Sequence, residues 1–254
     1  SPFTSSAFTN SNAVGSYLTV AVTPETNFSA GRFSAFTERT RAFVKIEDGC
    51  NRFCSYCIIP YARGRVRSKP LDQLKEELNQ LASKGFKEVV LVGINLSAYG
   101  QEFGINLADA IEAACEVDGI ERVRLSSLEP ERMDRHTIER LAAQPKLCPQ
   151  FHLSLQSGCN ATLKRMNRHY TAEDYTEIVN DLRNAFDNCA ITTDIMVGFP
   201  GETEEEIKES LDFAKKTAFA RVHVFAYSRR PGTVADKAEN QVPENIKNIR
   251  SKAM

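Results

Sequence analysis

Three cysteines within one short loop constrain this chain more than any other feature of its sequence. The segment Asp48-Gly49-Cys50-Asn51-Arg52-Phe53-Cys54-Ser55-Tyr56-Cys57 spaces them as C-x3-C-x2-C, directly after a predicted strand and beside a glycine. Such spacing brings three thiol groups to the end of one strand. Thiols held this close together either bind a metal centre or are buried as inert groups.

The number of ligands distinguishes the metal centres that this loop can hold. A four-iron cluster takes one ligand per iron, so three cysteines leave one iron free to bind a small molecule. Structural zinc requires four protein ligands in a closed tetrahedron, and no fourth ligand lies nearby in sequence. The four histidines are far along the chain, at His136, His152, His169 and His223. A cluster, a zinc site completed by folding and three inert thiols all remain open.

The other four cysteines are scattered, at Cys115, Cys148, Cys159 and Cys189, and the odd total of seven suits a reducing compartment better than a disulfide framework. No apolar run of about 18 residues predicts a membrane span, and the Ser/Thr-rich start lacks the features of a secretory signal. We therefore expect a cytoplasmic protein with no membrane association. The net charge of -1 does not exclude nucleic acid, because a local basic patch is enough.

From Ala42 onward, β-branched runs alternate with amphipathic stretches. The predicted strands are Phe43–Glu47, Glu88–Val92, Arg122–Ser126, Gln150–Leu155, Ala190–Val197 and Arg221–Tyr227. The predicted helices are Leu71–Lys84, Leu107–Val117, Asp134–Ala143, Ala172–Ala185 and Glu204–Thr217, the last two opened by the capping boxes Thr171/Asp174 and Thr203/Glu206. This alternation predicts parallel βαβ units, and hence an α/β fold that forms a partial (β/α)6 TIM-like barrel. Functional groups then lie at the C-terminal strand ends.

The cysteine spacing, with the aromatic Tyr56 before the last cysteine, resembles the signature of the radical S-adenosylmethionine (SAM) superfamily. The resemblance implies a barrel of the radical SAM type in which Cys50, Cys54 and Cys57 hold a 4Fe-4S cluster. It also implies that the open iron binds SAM, that one electron cleaves SAM to a 5′-deoxyadenosyl radical, and that Tyr56 lies near the adenine.

Longer motifs over about Arg41 to Thr233 are similar to one subfamily, the methylthiotransferases. They are Asp48-Gly49-Cys50, Ile58-Ile59-Pro60-Tyr61-Ala62-Arg63-Gly64, Ser126-Ser127-Leu128-Glu129-Pro130, Leu155-Gln156-Ser157-Gly158, Met166-x-Arg168, Gly198-Phe199-Pro200-Gly201-Glu202-Thr203 and Tyr227-Ser228-x-Arg230-Pro231-Gly232-Thr233. Two of them most resemble the branch that inserts a methylthio group at C2 of N6-threonylcarbamoyladenosine next to the tRNA anticodon. Alternative substrates are an isopentenyladenosine tRNA and a ribosomal-protein aspartate. A non-catalytic zinc-containing RNA-binding module is the alternative of another class.

The family layout places a domain with three further cysteines and a second 4Fe-4S cluster before the radical SAM core, and a small RNA-binding domain after it. No cysteine precedes Cys50, and the chain ends at Met254. We therefore expect a linker or remnant of a preceding domain over residues 1–40, with a candidate strand at Tyr17–Val22. The radical SAM core covers 41–235 and a C-terminal helical extension 236–254. Such a fragment would cleave SAM without completing methylthiolation.

Ten residues near the cluster loop and the predicted strand ends are candidates for binding SAM: Tyr56, Gly93, Asn95, Ser127, Glu129, Gln156, Arg168, Gly198, Pro200 and Phe225. Strand-end polar groups face the mouth of such a barrel, and a guanidinium fork such as that of Arg168 suits the SAM carboxylate. Several of these residues also have a structural alternative, such as a turn glycine, a loop carboxylate or a core strand. His152 and His223 lie within strands and are expected to be buried core imidazoles, and Asp194 is expected to be a structural hydrogen-bond partner.

Basic residues follow the cluster loop and the sixth strand, and five of them are candidates for holding RNA phosphates: Arg63, Arg65, Arg67, Arg229 and Arg230. Their alternative is a solvated surface. The resemblance implies three further properties: the tRNA anticodon stem-loop as partner, flavodoxin or ferredoxin as electron donor, and a monomeric state.

Overall fold

The computed structural model describes residues 40–254. The candidate strand at Tyr17–Val22 and all but the last residue of the predicted linker over residues 1–40 lie outside that range. In chain order, the described strands β1 to β8 are Arg41–Lys45, Glu47–Asp48, Arg67–Ser68, Glu88–Val92, Arg122–Leu125, Gln150–His152, Ala190–Val197 and Arg221–Ala226. The helices α1 to α8 are Ile59–Arg63, Leu71–Ser83, Leu107–Cys115, Arg135–Ala142, Asn160–Arg165, Ala172–Ala185, Glu204–Thr217 and Glu244–Ala253.

Six of the strands form two parallel sheets that follow chain order, β1-β4-β5 and β6-β7-β8. A parallel bridge between Leu128 and Leu153 joins the two sheets just beyond the ends of β5 and β6. Parallel strands need long crossovers, which the intervening helices provide. Within residues 40–254, β8 does not pair with β1, so the barrel is open on that side. The predicted α/β partial (β/α)6 barrel is confirmed.

The alternating burial along β7 shows where the hydrophobic core lies. Ile191, Thr193, Ile195 and Val197 are buried, while the residues between them are only half-buried. Because successive side chains of a strand point to opposite faces, one face packs under the helices and the other faces the interior of the barrel. The core is therefore the layer between the sheets and the outer helices, and it leaves the barrel interior partly open.

Most of the predicted elements form, and the differences arise where the chain turns toward the cysteine loop. The first predicted strand divides: β1 ends at Lys45, and β2 pairs antiparallel with β3. The predicted strand Gln150–Leu155 ends at His152. The short helices α1 and α5 were missed, because five or six residues are too few to give a helical period.

The helix starts follow the sequence closely. Both predicted capping boxes are present, Thr171 with Asp174 at α6 and Thr203 with Glu206 at α7. The segment 236–254 contains α8, which packs against β7 and β8. No helix among the described residues is long and apolar enough to cross a membrane.

Candidate functional site

The cysteine loop leaves the barrel immediately after β2 and depends on a glycine. Gly49 has φ of +87°, a conformation that side chains disfavour, and a Cβ there would overlap the carbonyl oxygen of Arg65. This close approach of the two backbone segments lets the Cys50 N–H donate to the Gly64 carbonyl at 3.1 Å. The β2–β3 hairpin therefore fixes where the first cysteine emerges.

Backbone contacts on both sides of Ser55 hold the middle of the loop. Its N–H donates to the Met166 carbonyl at 3.0 Å, and its hydroxyl donates to the Arg165 carbonyl at 2.8 Å. Its own carbonyl accepts from the N–H of Ala235 at 2.8 Å. The loop is thus fastened to the end of α5 and to the segment after β8, although both are more than 100 residues away in sequence.

All three cysteines of the loop are free thiols, with Cys54 buried and the other two half-buried. Burial raises the pKa of Cys50 to about 11 and also raises the pKa of Cys57. Repulsion between neighbouring thiolates adds to both shifts. The thiolate forms therefore require compensation from a positive centre, which a coordinated metal provides.

Hydrogen-bond donors already point at two of the sulfurs. The Sγ of Cys50 accepts from the Arg52 N–H at 3.4 Å and from Nδ2 of Asn95 at 3.8 Å. The Sγ of Cys54 accepts from Nη1 of Arg168 at 3.2 Å. Donors to sulfur tune the cysteine ligands of iron–sulfur centres, so this environment suits ligating thiolates better than inert thiols.

How close together the candidate ligand side chains lie distinguishes a single-ion site from an iron–sulfur cluster. Among residues 40–254, no three His, Cys, Asp or Glu side chains lie close enough together to share a single metal ion. A structural zinc site needs four ligands on one ion, and the described side chains do not form one. A four-iron cluster instead takes each thiolate on a different iron, so its ligands surround a larger volume. The three cysteines and their donors fit a cluster.

A buried carboxyl lies under the turn that follows β4. Glu47 is fully buried, its Oε2 accepts from the Asn95 N–H at 2.7 Å, and burial raises its pKa to about 8. A Cβ on Gly93 would lie 2.7 Å from that oxygen. Oε1 of Glu47 and Oδ1 of Asn95 are buried and accept no hydrogen bond from the described residues. Oδ1 of Asn95, together with Oε1 of Glu47 when that carboxyl is ionised, provides acceptors next to the loop of Cys50 that fit the amino group of a bound ligand.

Glu129 and Arg168, both predicted from sequence, meet beside Cys54. Their side chains form an ion pair, and only 2% of the Arg168 side chain is exposed. The Arg168 Nε also donates to the Tyr170 hydroxyl at 3.1 Å. The guanidinium of Arg168 thus already binds Glu129 and the Cys54 sulfur. Ser127, another residue predicted to bind SAM, is exposed. The predicted contact between Arg168 and the SAM carboxylate stays a proposal.

Gln156 ends the continuation of β6 in a conformation that is unusual for its residue type. Its φ is +70°, and its N–H donates to the Asp194 carbonyl at 2.8 Å. Its own carbonyl accepts from the N–H of Met196 at 2.9 Å. A strained non-glycine residue at a strand end is typical of a functional turn, which supports the sequence prediction for Gln156.

The turn after β7 is held by charged groups from the C-terminal helix. The N–H of Gly198 donates to both Glu202 carboxylate oxygens, at 3.0 and 3.1 Å. Buried Arg250 of α8 donates to Oε1 of Glu202 at 2.9 Å. A Cβ on Gly198 would overlap the side chain of Lys247, also on α8. Sequence patterns gave no sign of this link, because it joins residues almost 50 positions apart.

Aromatic residues line one side of the mouth, next to this turn. Tyr56 packs edge-on against Phe199 with centroids 6.2 Å apart, and Phe199 packs against Tyr227 at 5.4 Å. Pro200 is buried beside them. Phe225 lies opposite Met196 in the β7–β8 register and is 52% exposed. Tyr56 and the turn residues therefore lie together, with Phe225 at the open edge.

One predicted phosphate contact is not supported by the structure. Arg67 is 8% exposed, and its Nη1 donates to the carbonyls of Arg63 and Arg65 at 2.8 and 2.9 Å. Its Nη2 lies 3.5 Å from the carboxylate of Asp48. Arg67 was wrongly assigned to RNA binding, because its guanidinium points inward and holds the hairpin that carries the cysteine loop.

The other four predicted arginines are exposed. Arg63 and Arg65 lie on the surface after the cysteine loop, and Arg230 follows β8. Arg229 is bound by Asp236, whose Oδ1 accepts from its Nε at 2.9 Å. These side chains remain available to a polyanion, with Arg229 partly neutralised.

The barrel interior contains a polar cluster that the sequence prediction missed. His152 and His223 are half-buried rather than core residues, with ring centroids 5.8 Å apart. His152 contacts the Thr192 hydroxyl through Nδ1 at 3.0 Å and the Asp194 carboxylate through Nε2 at 3.2 Å. The Asp194 carboxylate has the hydrogen-bonding partner expected from sequence, and it is half-buried rather than enclosed. The sequence signal that indicates this cluster is the alternation of these polar residues with apolar ones along adjacent strands.

The radical SAM superfamily model matches residues 44–214. The chain is 45% identical over 217 residues to the threonylcarbamoyladenosine tRNA methylthiotransferase MtaB of Thermotoga maritima, covering 85% of this chain and 50% of that protein. It is 42% identical over 219 residues to the tRNA-2-methylthio-N(6)-dimethylallyladenosine synthase of Pelotomaculum thermopropionicum, covering 85% and 49%. The chain therefore spans about half the length of the curated relatives it matches.

Two solved structures with low sequence identity share the fold. The radical SAM methyltransferase TsrM of Kitasatospora setae, solved with cobalamin and a 4Fe-4S cluster bound, aligns with a TM-score of 0.65 at 18% identity, over 77% of this chain and 38% of that one. The coproporphyrinogen III oxidase HemN of Escherichia coli aligns at 0.61 and 14% identity, over 84% and 50%. At these identities the likeness shows the fold alone.

Proposed function

Since this chain belongs to the radical SAM superfamily, we propose that it is the radical SAM core of a tRNA methylthiotransferase. The reaction inserts a methylthio group at C2 of N6-threonylcarbamoyladenosine next to the anticodon. The observation that carries the proposal is the cysteine loop, with Cys50, Cys54 and Cys57 beside the C-terminal strand ends and donors on two of the sulfurs. The similarity to named tRNA methylthiotransferases supports the reaction type.

In this proposal the three cysteines hold a 4Fe-4S cluster, and SAM binds over the strand ends. The cluster and SAM supply the one-electron chemistry that makes a hydrogen-abstracting radical. The chain's residues position these groups. Asn95 and Arg168 donate to ligating sulfurs, the free oxygens of Glu47 and Asn95 accept the SAM amino group, and Tyr56 borders the adenine.

The substrate is proposed from the barrel interior, because relatives named for either adenosine match almost equally well, at 45% and 42% identity. A threonylcarbamoyl group carries N–H, hydroxyl and carboxylate groups. Asp194 can accept from such a group and His223 can donate to it, whereas an apolar dimethylallyl group would desolvate both without replacing their hydrogen bonds to water. The polar cluster therefore favours the threonylcarbamoyl substrate.

The wider setting is part of the same proposal. The whole reaction is proposed for a full-length protein, because this chain spans about half of its relatives, and the family resemblance implies a second cluster in that protein. That protein acts as a cytoplasmic monomer on the anticodon stem-loop, and flavodoxin or ferredoxin supplies the electrons.

The test uses the full-length enzyme, anaerobically reconstituted with iron and sulfide and given SAM and a reductant. Three substrates are compared: stem-loops that carry threonylcarbamoyladenosine or isopentenyladenosine, and the ribosomal protein with its target aspartate. Nucleoside and peptide mass spectrometry identify the product. We expect a methylthio product from the threonylcarbamoyl stem-loop. Product from either other substrate alone would refute the substrate assignment, and no product from any would refute the function.

A further inference from the structure

Tyr61 is a large aromatic side chain that the proposed function leaves unused. It lies on α1, four residues after Cys57, and 59% of it is exposed. Rings of this size usually contribute to a core or an interface, where they bury large apolar areas. Few other large apolar side chains of the described part of the chain are this exposed. Exposure alone assigns no partner, since single apolar side chains are common on protein surfaces; the surroundings of Tyr61 distinguish it.

The ring is supported from below by the cysteine loop. Tyr61 packs edge-on against Phe53, with centroids 5.6 Å apart and planes at 76°, and the guanidinium of Arg65 lies over the Phe53 ring at 5.3 Å. Phe53 itself has φ of +53°, and its carbonyl accepts from Nδ2 of Asn167 at 3.0 Å. Since Phe53 immediately precedes Cys54, the exposed ring is fixed close to the cluster ligands.

The surface around the ring is positively charged. Arg63 and Arg65 are both exposed, at alternate positions after Tyr61. The nearest acid to Arg63 is Asp48 at 3.9 Å, and that carboxylate also binds Lys45 at 2.6 Å. Arg65 forms no ion pair with any acid in the described range. A single flat ring followed by two exposed arginines, of which Arg63 has one acidic neighbour shared with Lys45, is not a contiguous apolar patch of the kind that binds proteins.

Single-stranded RNA has the matching chemistry. Its unstacked bases bind to aromatic rings, while arginines hold the flanking phosphates. We propose that Tyr61 is a stacking platform for an unpaired anticodon-loop base adjacent to the modified adenosine, with Arg63 and Arg65 on the neighbouring phosphates. The assignment rests on the proposed function, because it takes the tRNA as substrate, and it adds a recognition residue that the cluster and SAM do not require.

Stacking and phosphate contacts differ in their response to salt, which separates the two roles. Loss of one base–aromatic stack weakens binding about 10-fold to 100-fold, and this loss is nearly independent of salt. Loss of one phosphate contact lowers the slope of log affinity against log salt by about 0.7 for a single strand. Tyr61 and Arg65 should therefore give different signatures in the same assay.

The experiment measures fluorescence anisotropy of a labelled threonylcarbamoyl stem-loop with the full-length protein, anaerobically, over a series of KCl concentrations. Tyr61→Ala and Tyr61→Leu should each weaken binding about 10-fold to 100-fold without changing the slope of log affinity against log salt. Tyr61→Phe should bind like the wild type. Arg65→Ala should reduce the slope. Ile249→Ala, which removes another exposed apolar side chain (62% exposed on α8), is the matched control and should have no effect. Iron content and circular dichroism verify that each variant is folded.

The outcomes separate the platform from the proposed function. Tyr61→Ala with wild-type affinity, in a protein that binds and methylthiolates the stem-loop, overturns the platform alone. A changed salt slope in Tyr61→Ala also overturns it, because the ring would then act through charge. A wild-type protein that cleaves SAM but neither binds nor modifies the stem-loop overturns the proposed function, and the platform with it.

Discussion

Replacing Arg250 by Met should destabilise the barrel and weaken SAM binding together. Arg250 comes from α8, and its side chain is 7% exposed. Its Nη1 donates to the carbonyl and Oε1 of Glu202 at 3.0 and 2.9 Å. Glu202 in turn accepts the N–H of Gly198. The variant therefore removes the guanidinium that neutralises the carboxylate under the turn proposed to contact SAM.

The expected loss of unfolding free energy follows from the charge that stays buried when Arg250 is replaced. The Glu202 side chain is 3% exposed, and without Arg250 only the backbone N–H groups of Gly198 and Phe199 are left to its carboxylate. Removing one partner of a buried ion pair costs about 3–5 kcal/mol of unfolding free energy. The second ion pair of Arg250, with Glu204, adds little because the Glu204 side chain is 75% exposed. We expect the double variant with Glu202→Gln to recover most of the loss, since no buried charge then remains.

The loss should also depend on pH. Burial raises the pKa of Glu202, and Gly198 and Arg250 oppose that shift. Without Arg250 the folded-state pKa rises further above the unfolded value of about 4.3. A carboxyl with a raised pKa contributes its full stability below the unfolded pKa and loses it as the pH rises through the folded pKa. The deficit of the variant should therefore be larger at about pH 8 than at about pH 5.

Urea unfolding of the cluster-loaded chain, followed anaerobically by circular dichroism at both pH values, measures this deficit. Equilibrium SAM binding provides the functional measurement, with Lys252→Met on the exposed side of the same helix as control. A loss below about 1 kcal/mol, as for a surface pair, would show that the ion pair between Arg250 and Glu202 does not stabilise the fold as a buried pair. A loss of equal size at the two pH values would refute the role of the Glu202 charge.

Three further predictions concern the cysteine loop and its surroundings. Burial raises the pKa of Glu47 to about 8, so the wild-type free energy of unfolding should fall by roughly 1 kcal/mol per pH unit between the pKa of the unfolded carboxyl and about pH 8. Glu47→Gln should remove this decline. An unchanged pH dependence of stability in thermal unfolding would contradict the prediction. Gly49→Ala should lower the free energy of unfolding by about 3 kcal/mol or more, since φ is +87° and the added Cβ overlaps the Arg65 backbone. It should also lower the iron content of the reconstituted protein, which iron analysis measures. Arg168→Met should leave Glu129 without its cation and Cys54 without its donor. We therefore expect faster cluster loss under oxygen than in the wild type, followed by absorbance, and an equal rate would contradict the role of Arg168.

The sequence was sufficient where local pattern decides structure. Capping boxes at Thr171 and Thr203 fixed the starts of two helices, and β-branched runs placed the parallel strands. The C-x3-C-x2-C loop after the first strand unit pointed to the site, because strand ends of such a barrel meet at one mouth. These features depend on residues that are neighbours in the chain.

What the sequence missed depends on partners distant in the chain. Arg67 resembles its exposed arginine neighbours, and only the turn of the hairpin directs it inward onto two carbonyls. The pairing of Arg250 with Glu202 spans 48 positions and has no local signal. His152 and His223 lie in strands that resemble core strands, and only the open barrel leaves their interior face half-exposed.

The most direct test of the central claim is anaerobic reconstitution of this chain with iron and sulfide, followed by reduction in the presence of SAM. We expect about four irons and four sulfides per chain and reductant-dependent release of 5′-deoxyadenosine and methionine. Both should be lost when Cys50, Cys54 and Cys57 are replaced by Ala. A chain that binds zinc instead of iron, or one that carries the full cluster but leaves SAM intact, would show that Cys50, Cys54 and Cys57 do not form a radical SAM centre.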